Sequence, residues 1–115
     1  MKFSVLVAIL ADELEDKAID VARNAGAEGV TILNGRGIGA QEKKSFFGLT
    51  YEGSQSVLIF VLERKLSLHV MKQLVKALDL RRDSKGVVFT LPLEHLAGID
   101  MRQIHAFEAR IKDDI

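Results

Sequence analysis

The segment SVLIFVLE, residues 56–63, constrains the fold of this chain more than any other. It is short, apolar and rich in β-branched residues, which predicts a β-strand. Successive side chains of a strand point to opposite faces of the sheet. One face would carry Val57, Ile59 and Val61, and the other Leu58, Phe60 and Leu62. Both faces of the strand are therefore apolar, and the fold has to cover both of them.

Three further segments are predicted to be strands. They are FSVLVAIL at residues 3–10, residues 29–35, and VVFTL at residues 87–91. Pro92 would end the last of these, because proline cannot donate a hydrogen bond to a neighbouring strand. The strand of residues 56–63 is thus the third of four.

Two segments with apolar residues at helical spacing are predicted to be helices. The first is DELEDKAIDVARNAG, with Asp12 as its N-cap and Gly26 at its end. The second begins after Ser67 as N-cap. Its apolar stripe would comprise Leu68, Met71, Leu74, Val75 and Leu78. The residues RRDSKG that follow are predicted to form a turn.

The order of these elements is strand, helix, strand, strand, helix, strand. This order is typical of the ferredoxin-like fold of the α+β class, an antiparallel sheet with two helices on one face. The helices leave the second apolar face uncovered, which predicts a homo-oligomer. Residues 1–115 would form a single domain, with a core of residues 1–99 and a tail of residues 100–115.

The loop between the second and third strands, residues 36–54, is unusually long for so small a domain. Three glycines stand at every second position where it begins: Gly35, Gly37 and Gly39. Backbone N–H groups in such a turn can bind an anion, although a glycine-rich hairpin with a loose tip explains the pattern equally well. The adjacent Phe46 and Phe47 would either pack back on the body of the domain or contact a partner protein, and an exposed apolar pair favours the partner.

Composition narrows the class of protein. The 16 basic residues balance the 16 acidic ones, which argues against a general nucleic-acid binder. The chain has no cysteine, and its three histidines are scattered, so we expect no metal site. The apolar segment at the N-terminus is better interpreted as a strand than as a signal peptide, and no segment is long enough to span a membrane. We expect a soluble, cytoplasmic protein.

The stretch GAEGVTILNGRGIGAQ resembles the second strand and the base of the long T-loop in the PII family of nitrogen-regulatory signal-transduction proteins. Within the loop, TYEG is similar to the Tyr-x-Gly of that family, which places Tyr51 in the partner-binding loop. SKGVVFTLPLEHL occupies the place of the family's phosphate-holding B-loop and fourth strand. The likeness covers residues 1 to about 99.

This resemblance implies a homotrimer whose sheets face its centre. It implies that an adenine nucleotide (ATP, ADP or AMP) binds between subunits and that the T-loop then contacts a transporter, an enzyme or a regulator. It implies no catalytic residues. The ligand-binding residues implied are Thr31, Gly37, Gly39, Gln41, Lys85 and Gly86.

The sequence departs from the family in two places. RRDSKG is shorter than the family's B-loop and has one glycine, and HLAGID lacks the two arginines that hold phosphates in the family. A PII-like relative that binds a nucleotide with fewer phosphates, or a different small molecule, fits these departures.

Two other functions fit the same order of elements. An amino-acid-binding regulatory domain of the ACT type would be a dimer with its ligand at a junction between helices. A trimer of the CutA type, or a small ferredoxin-like enzyme, is the third alternative. The sequence contains no Walker loop, dinucleotide fingerprint or familiar catalytic spacing, so we expect no enzymatic activity.

Overall fold

The computed structural model describes residues 1–36, 45–46, 49–50, 54–83 and 85–99; for 45–46, 49–50 and Asp83 it describes the backbone alone. The elements are, in order, strand β1 (Phe3–Ala11), a short 3₁₀ helix (Asp12–Leu14), helix α1 (Glu15–Asn24), strands β2 (Thr31–Gly35), β3 (Ser45–Phe46), β4 (Leu49–Thr50) and β5 (Gln55–Glu63), helices α2 (Arg64–Ala77) and α3 (Leu80–Asp83), and strand β6 (Gly86–Pro92).

Four of these strands form one antiparallel sheet in the order β2-β5-β1-β6. The first half of the chain supplies β2 and β1, and the second half supplies β5 and β6. This topology confirms the predicted ferredoxin-like fold. The strands β3 and β4 pair with each other inside the segment predicted as a loop. Two residues per strand are too few to show an alternating pattern, so this pair could not be recognised from the sequence.

Helices α1 and α2 cover one face of the sheet, and the core lies between the two layers. Even-numbered residues of β1 and β5 face the helices and are almost completely buried, as are the inward residues of the helices. The largest fully buried side chains include Leu6, Leu10, Leu58, Phe60, Leu62, Leu66, Val70 and Leu74. This aliphatic core accounts for the helical spacing in the sequence.

The other face of the sheet is apolar and has no helix on it among the described residues; we call it the open face. Residues that pair across neighbouring strands form rows on this face. In the central row, Val7 of β1 lies between Ile59 of β5 and Phe89 of β6. On its three adjacent strands β5, β1 and β6, the open face comprises Val5, Val7, Ile9, Val57, Ile59, Val61, Val87, Phe89 and Leu91. The outer strand β2 adds Thr31 and Leu33 to the same face. Phe89 is 40% exposed and Leu91 53% exposed. The predicted alternation along residues 56–63 is confirmed.

The start of α2 differs from its prediction. The helix begins at Arg64, and the N-cap is Glu63, whose Oε2 accepts hydrogen bonds from the backbone N–H groups of Lys65 (2.8 Å) and Leu66 (3.0 Å). Ser67, the predicted cap, lies inside the helix and is fully buried. Four residues of the predicted apolar stripe are confirmed, because Leu74 and Leu78 are buried and Met71 and Val75 pack against the core. Leu68 is the exception and is 41% exposed on the outer side of the helix.

The structure also differs from the sequence-based prediction around α1 and α3. Ala11, and not Asp12, precedes the 3₁₀ helix, and no side chain caps it. Gly26 ends the α1 region as predicted, with a φ of 121° that favours glycine. The predicted turn after α2 contains the short helix α3. None of the described helices is long enough and apolar enough to span a lipid bilayer.

Candidate ligand-binding site

A cavity of about 580 Å³ lies along the outer edge of the sheet, where the connection from α1 enters β2; we call it the edge cavity. Thr31, the first residue of β2, is exposed and lies beside Ile59 of β5. The edge cavity is lined by Glu28, Gly29, Val30, Thr31, Ile59, Val61, Leu62, Leu96 and Ile99. Most of the lining side chains are apolar, and the polar ones are the Thr31 hydroxyl and the Glu28 carboxylate.

Such a wall suits the flat, weakly polar part of a ligand. Apolar side chains bury a ring, and a few polar groups fix its orientation. The Thr31 hydroxyl can both donate and accept a hydrogen bond. None of the described residues that line the edge cavity is a cation, so this wall offers nothing to neutralise a phosphate. A ligand with phosphates would need cations from elsewhere.

Lys85 and Gly86 lie at the opposite edge of the sheet. Lys85 is exposed, and its carbonyl oxygen accepts a hydrogen bond from the backbone N–H of Ala11 at 3.1 Å. Gly86 is the first residue of β6 and pairs with Leu10. Because β2 and β6 are the two outer strands, three strand spacings of about 14 Å in total separate them. One chain therefore does not bring Thr31 together with Lys85 and Gly86.

Gly86 has a structural reason to be glycine. A Cβ atom at this position would lie 2.8 Å from the Ile9 carbonyl oxygen and would overlap the Leu10 side chain. The close approach of β6 to β1 accounts for this glycine without a ligand.

The remaining predicted residues lie outside the described part of the chain. Gly37, Gly39, Gln41, Phe47 and Tyr51 are not described, and neither is the side chain of Phe46. The tail of residues 100–115 is also outside the described residues. Their predicted roles stay predictions.

Sequence reasoning missed a polar cluster where the long loop returns to the sheet. The fully buried Ser56 Oγ lies 2.8 Å from Asp12 Oδ1 and 2.7 Å from Glu15 Oε1. A hydroxyl has one proton to donate, so the two carboxylates share it. The cluster ties the first residues of β5 to the start of α1. A serine at the start of an apolar strand, together with an acidic segment, was the only signal for it.

Two buried serines are expected to respond oppositely to the same substitution. Ser67 Oγ is buried and has no hydrogen-bond partner among the described residues, so Ser67→Ala should raise the free energy of unfolding by about 1 kcal/mol. Ser56→Ala removes a hydroxyl that two carboxylates share, so this substitution should lower the free energy of unfolding by about 1–2 kcal/mol. Urea denaturation of both variants at equal protein concentration checks this. Equal effects of both substitutions would contradict it.

Comparison with known proteins gives one family. The family model described as nitrogen regulatory protein P-II matches residues 3–103. A search of proteins with curated descriptions gave no significant match.

Several solved structures are similar to the chain. A protein of Thermus thermophilus, assigned as a PII-like signaling protein, has a TM-score of 0.62 and 16% identity, with 81% of this chain and 88% of that chain covered. CPII of Thiomonas intermedia, bound to ADP, AMP and acetate, has a TM-score of 0.61 and 18% identity, with 82% and 90% covered. CPII bound to ADP and bicarbonate has a TM-score of 0.59 and 22% identity, with 81% and 87% covered. At these identities the similarity shows the shared fold.

Proposed function

Because the chain belongs to the nitrogen regulatory protein P-II family, we propose that it is a regulator that binds a small effector between the subunits of a homotrimer. The open face supports this assembly. Nine apolar side chains lie on its three adjacent strands β5, β1 and β6, and Leu33 of β2 extends this surface, which is unusually large for a monomer. Three chains that meet through their open faces would bury most of these side chains at the centre of the trimer. The edge cavity, which Ile59 and Val61 line, would then lie at the rim of the interface between two subunits.

The effector is an adenine nucleotide, whose base occupies the edge cavity beside Thr31. Two structures of the similar protein CPII contain ADP, and one of them also contains AMP. The main support for a site between subunits is that Thr31 lies on one edge of the sheet, whereas Lys85 and Gly86 lie on the other. A ligand reaches Thr31 of one chain together with Lys85 and Gly86 only if a second chain presents its β6 edge to the first chain's β2 edge.

The long loop transmits the state of the site to a protein partner. Gly37, Gly39 and Gln41 would complete the nucleotide site at the base of the loop. Phe46, Phe47 and Tyr51 would contact the partner, which is a transporter, an enzyme or a regulator. The ligand acts by favouring one conformation of the loop over others, a shift in population. The protein thus works in the cytoplasm as a signalling component in nitrogen regulation and not as an enzyme.

Substitution of Thr31 tests the site. Thr31→Val keeps the size of the side chain and removes the hydroxyl, so it should weaken the binding of AMP or ADP about threefold to tenfold, as expected for one lost hydrogen bond. Thr90→Val is the matched control, because Thr90 lies on β6 at the opposite edge and faces the helices. Isothermal titration calorimetry with AMP, ADP, ATP and amino acids gives the affinities. Binding of amino acids alone would contradict the proposal and favour the ACT type.

A further inference from the structure

A second cavity, of about 490 Å³, lies where β1 begins and β6 ends; we call it the end cavity. The residues that line it include the charged Lys2, Arg64 and Glu94 and the apolar Phe3, Pro92 and Leu93. Lys2 and Arg64 are held together by their backbones, because the Arg64 N–H donates a hydrogen bond of 2.9 Å to the Lys2 carbonyl oxygen. The fold thus places two cations from distant parts of the sequence at one site.

The two cavities adjoin each other. Leu96 and Ile99, in the segment that follows β6, line both of them. Val61 lines the edge cavity and Arg64 lines the end cavity, and only three positions separate them along the chain. Even a fully extended chain of about 3.3 Å per residue would separate their backbones by no more than about 10 Å. A ligand of nucleotide length can therefore occupy both cavities at once.

The two cavities differ in chemistry as the two ends of a nucleotide do. The edge cavity is apolar with one hydroxyl and one carboxylate, whereas the end cavity contains an ammonium and a guanidinium. Neither Lys2 nor Arg64 has an ion-pair partner within the part of the chain that the structure describes. A guanidinium presents several N–H donors in a plane, which matches two oxygens of a phosphate.

We propose that the end cavity holds the phosphate of a nucleoside monophosphate, bound by Arg64 and Lys2, while the nucleoside lies in the edge cavity. This inference rests on the proposed function, which places an adenine nucleotide at Thr31. It assigns the phosphate to residues that the sequence did not indicate. It also explains how the chain binds a nucleotide although HLAGID contains no arginine.

The charges of the end cavity set the number of phosphates. Among the side chains of the lining residues, Arg64 and Lys2 supply two positive charges and the Glu94 carboxylate supplies one negative charge. A phosphate monoester carries about −1.5 to −2 charges at neutral pH, and the net charge of these three side chains, one positive charge, offsets part of it. Each further phosphate adds negative charge that no other side chain among the described residues of the end cavity offsets. AMP should therefore bind more tightly than ATP.

A comparison of AMP with adenosine tests the assignment. In Arg64→Gln, the affinity for AMP should fall about tenfold or more, since a charged hydrogen-bonding partner of the phosphate is lost, while the affinity for adenosine stays the same. Lys65→Gln is the matched control, because Lys65 is the exposed neighbour that does not line either cavity. Calorimetric titration of each variant with both ligands gives the ratio of the two affinities.

A gain of binding provides a second readout that misfolding cannot produce. Glu94→Gln removes the opposing charge and should tighten AMP binding about twofold to fivefold without a change for adenosine, as expected for an exposed charge. Two results would contradict the assignment if AMP binds to the wild-type protein. Arg64→Gln could still bind AMP more tightly than adenosine, or Lys85→Gln could lose this difference instead. In either case the phosphate assignment is wrong and the proposed function stands. If neither adenosine nor AMP binds to the wild-type protein, the proposed function fails as well.

Discussion

Phe89→Glu is expected to convert the proposed trimer into a folded monomer. Phe89 lies on the open face, 40% exposed in a single chain, so a glutamate there meets water in the monomer and costs little. In a trimer built through the open face, the same carboxylate would be buried without a partner, which costs several kcal/mol per subunit. The molar mass from light scattering should fall from three times to one times the chain mass of 12.7 kDa.

Leu68→Glu is the control for this experiment. Leu68 is 41% exposed, almost the same fraction as Phe89, but it lies on the outer side of α2. The same substitution there should leave the mass unchanged. Circular dichroism of both variants should show the helix and strand content of the wild-type protein, because the core between the helices and the sheet is untouched. A trimer that persists in Phe89→Glu would show that the subunits meet through another surface.

Gly86→Ala is expected to lower the free energy of unfolding by about 3 kcal/mol, near the upper end of the usual cost of overpacking. The added Cβ would meet the Ile9 carbonyl oxygen at 2.8 Å, and backbone cannot move aside as the end of a side chain can. Strands β1 and β6 would have to separate where Leu10 and Gly86 pair. Urea denaturation, at one protein concentration for all variants, measures the loss.

Gly29→Ala provides the comparison. A Cβ at Gly29 would have no atom within 4 Å, so the free energy of unfolding should change by less than about 0.5 kcal/mol. Gly86 was predicted from the family resemblance as a residue near the phosphates. A similar small effect at both glycines would mean that packing does not require Gly86, and would leave the ligand as the reason for it.

The sequence was most informative where many residues repeat one pattern. The alternation in residues 56–63 predicted both faces of β5 correctly, since every second side chain of a strand points the same way. The order of strands and helices then predicted the fold. Single positions were less certain. Ser67 is a common N-cap residue, but Glu63 takes that place, because a carboxylate one turn earlier can also accept from the free N–H groups.

Local patterns in the chain were enough to define the main elements, their order and the apolar character of both faces of the sheet, because periodicity is a property of consecutive residues. Which residues share a site depended on the three-dimensional arrangement of the strands. That arrangement placed Thr31 and Lys85 on opposite edges and brought Lys2 beside Arg64. The positions of these residues depend on which strands pair with each other, although the strands are distant in sequence. The register of this pairing results from the packing of the whole core.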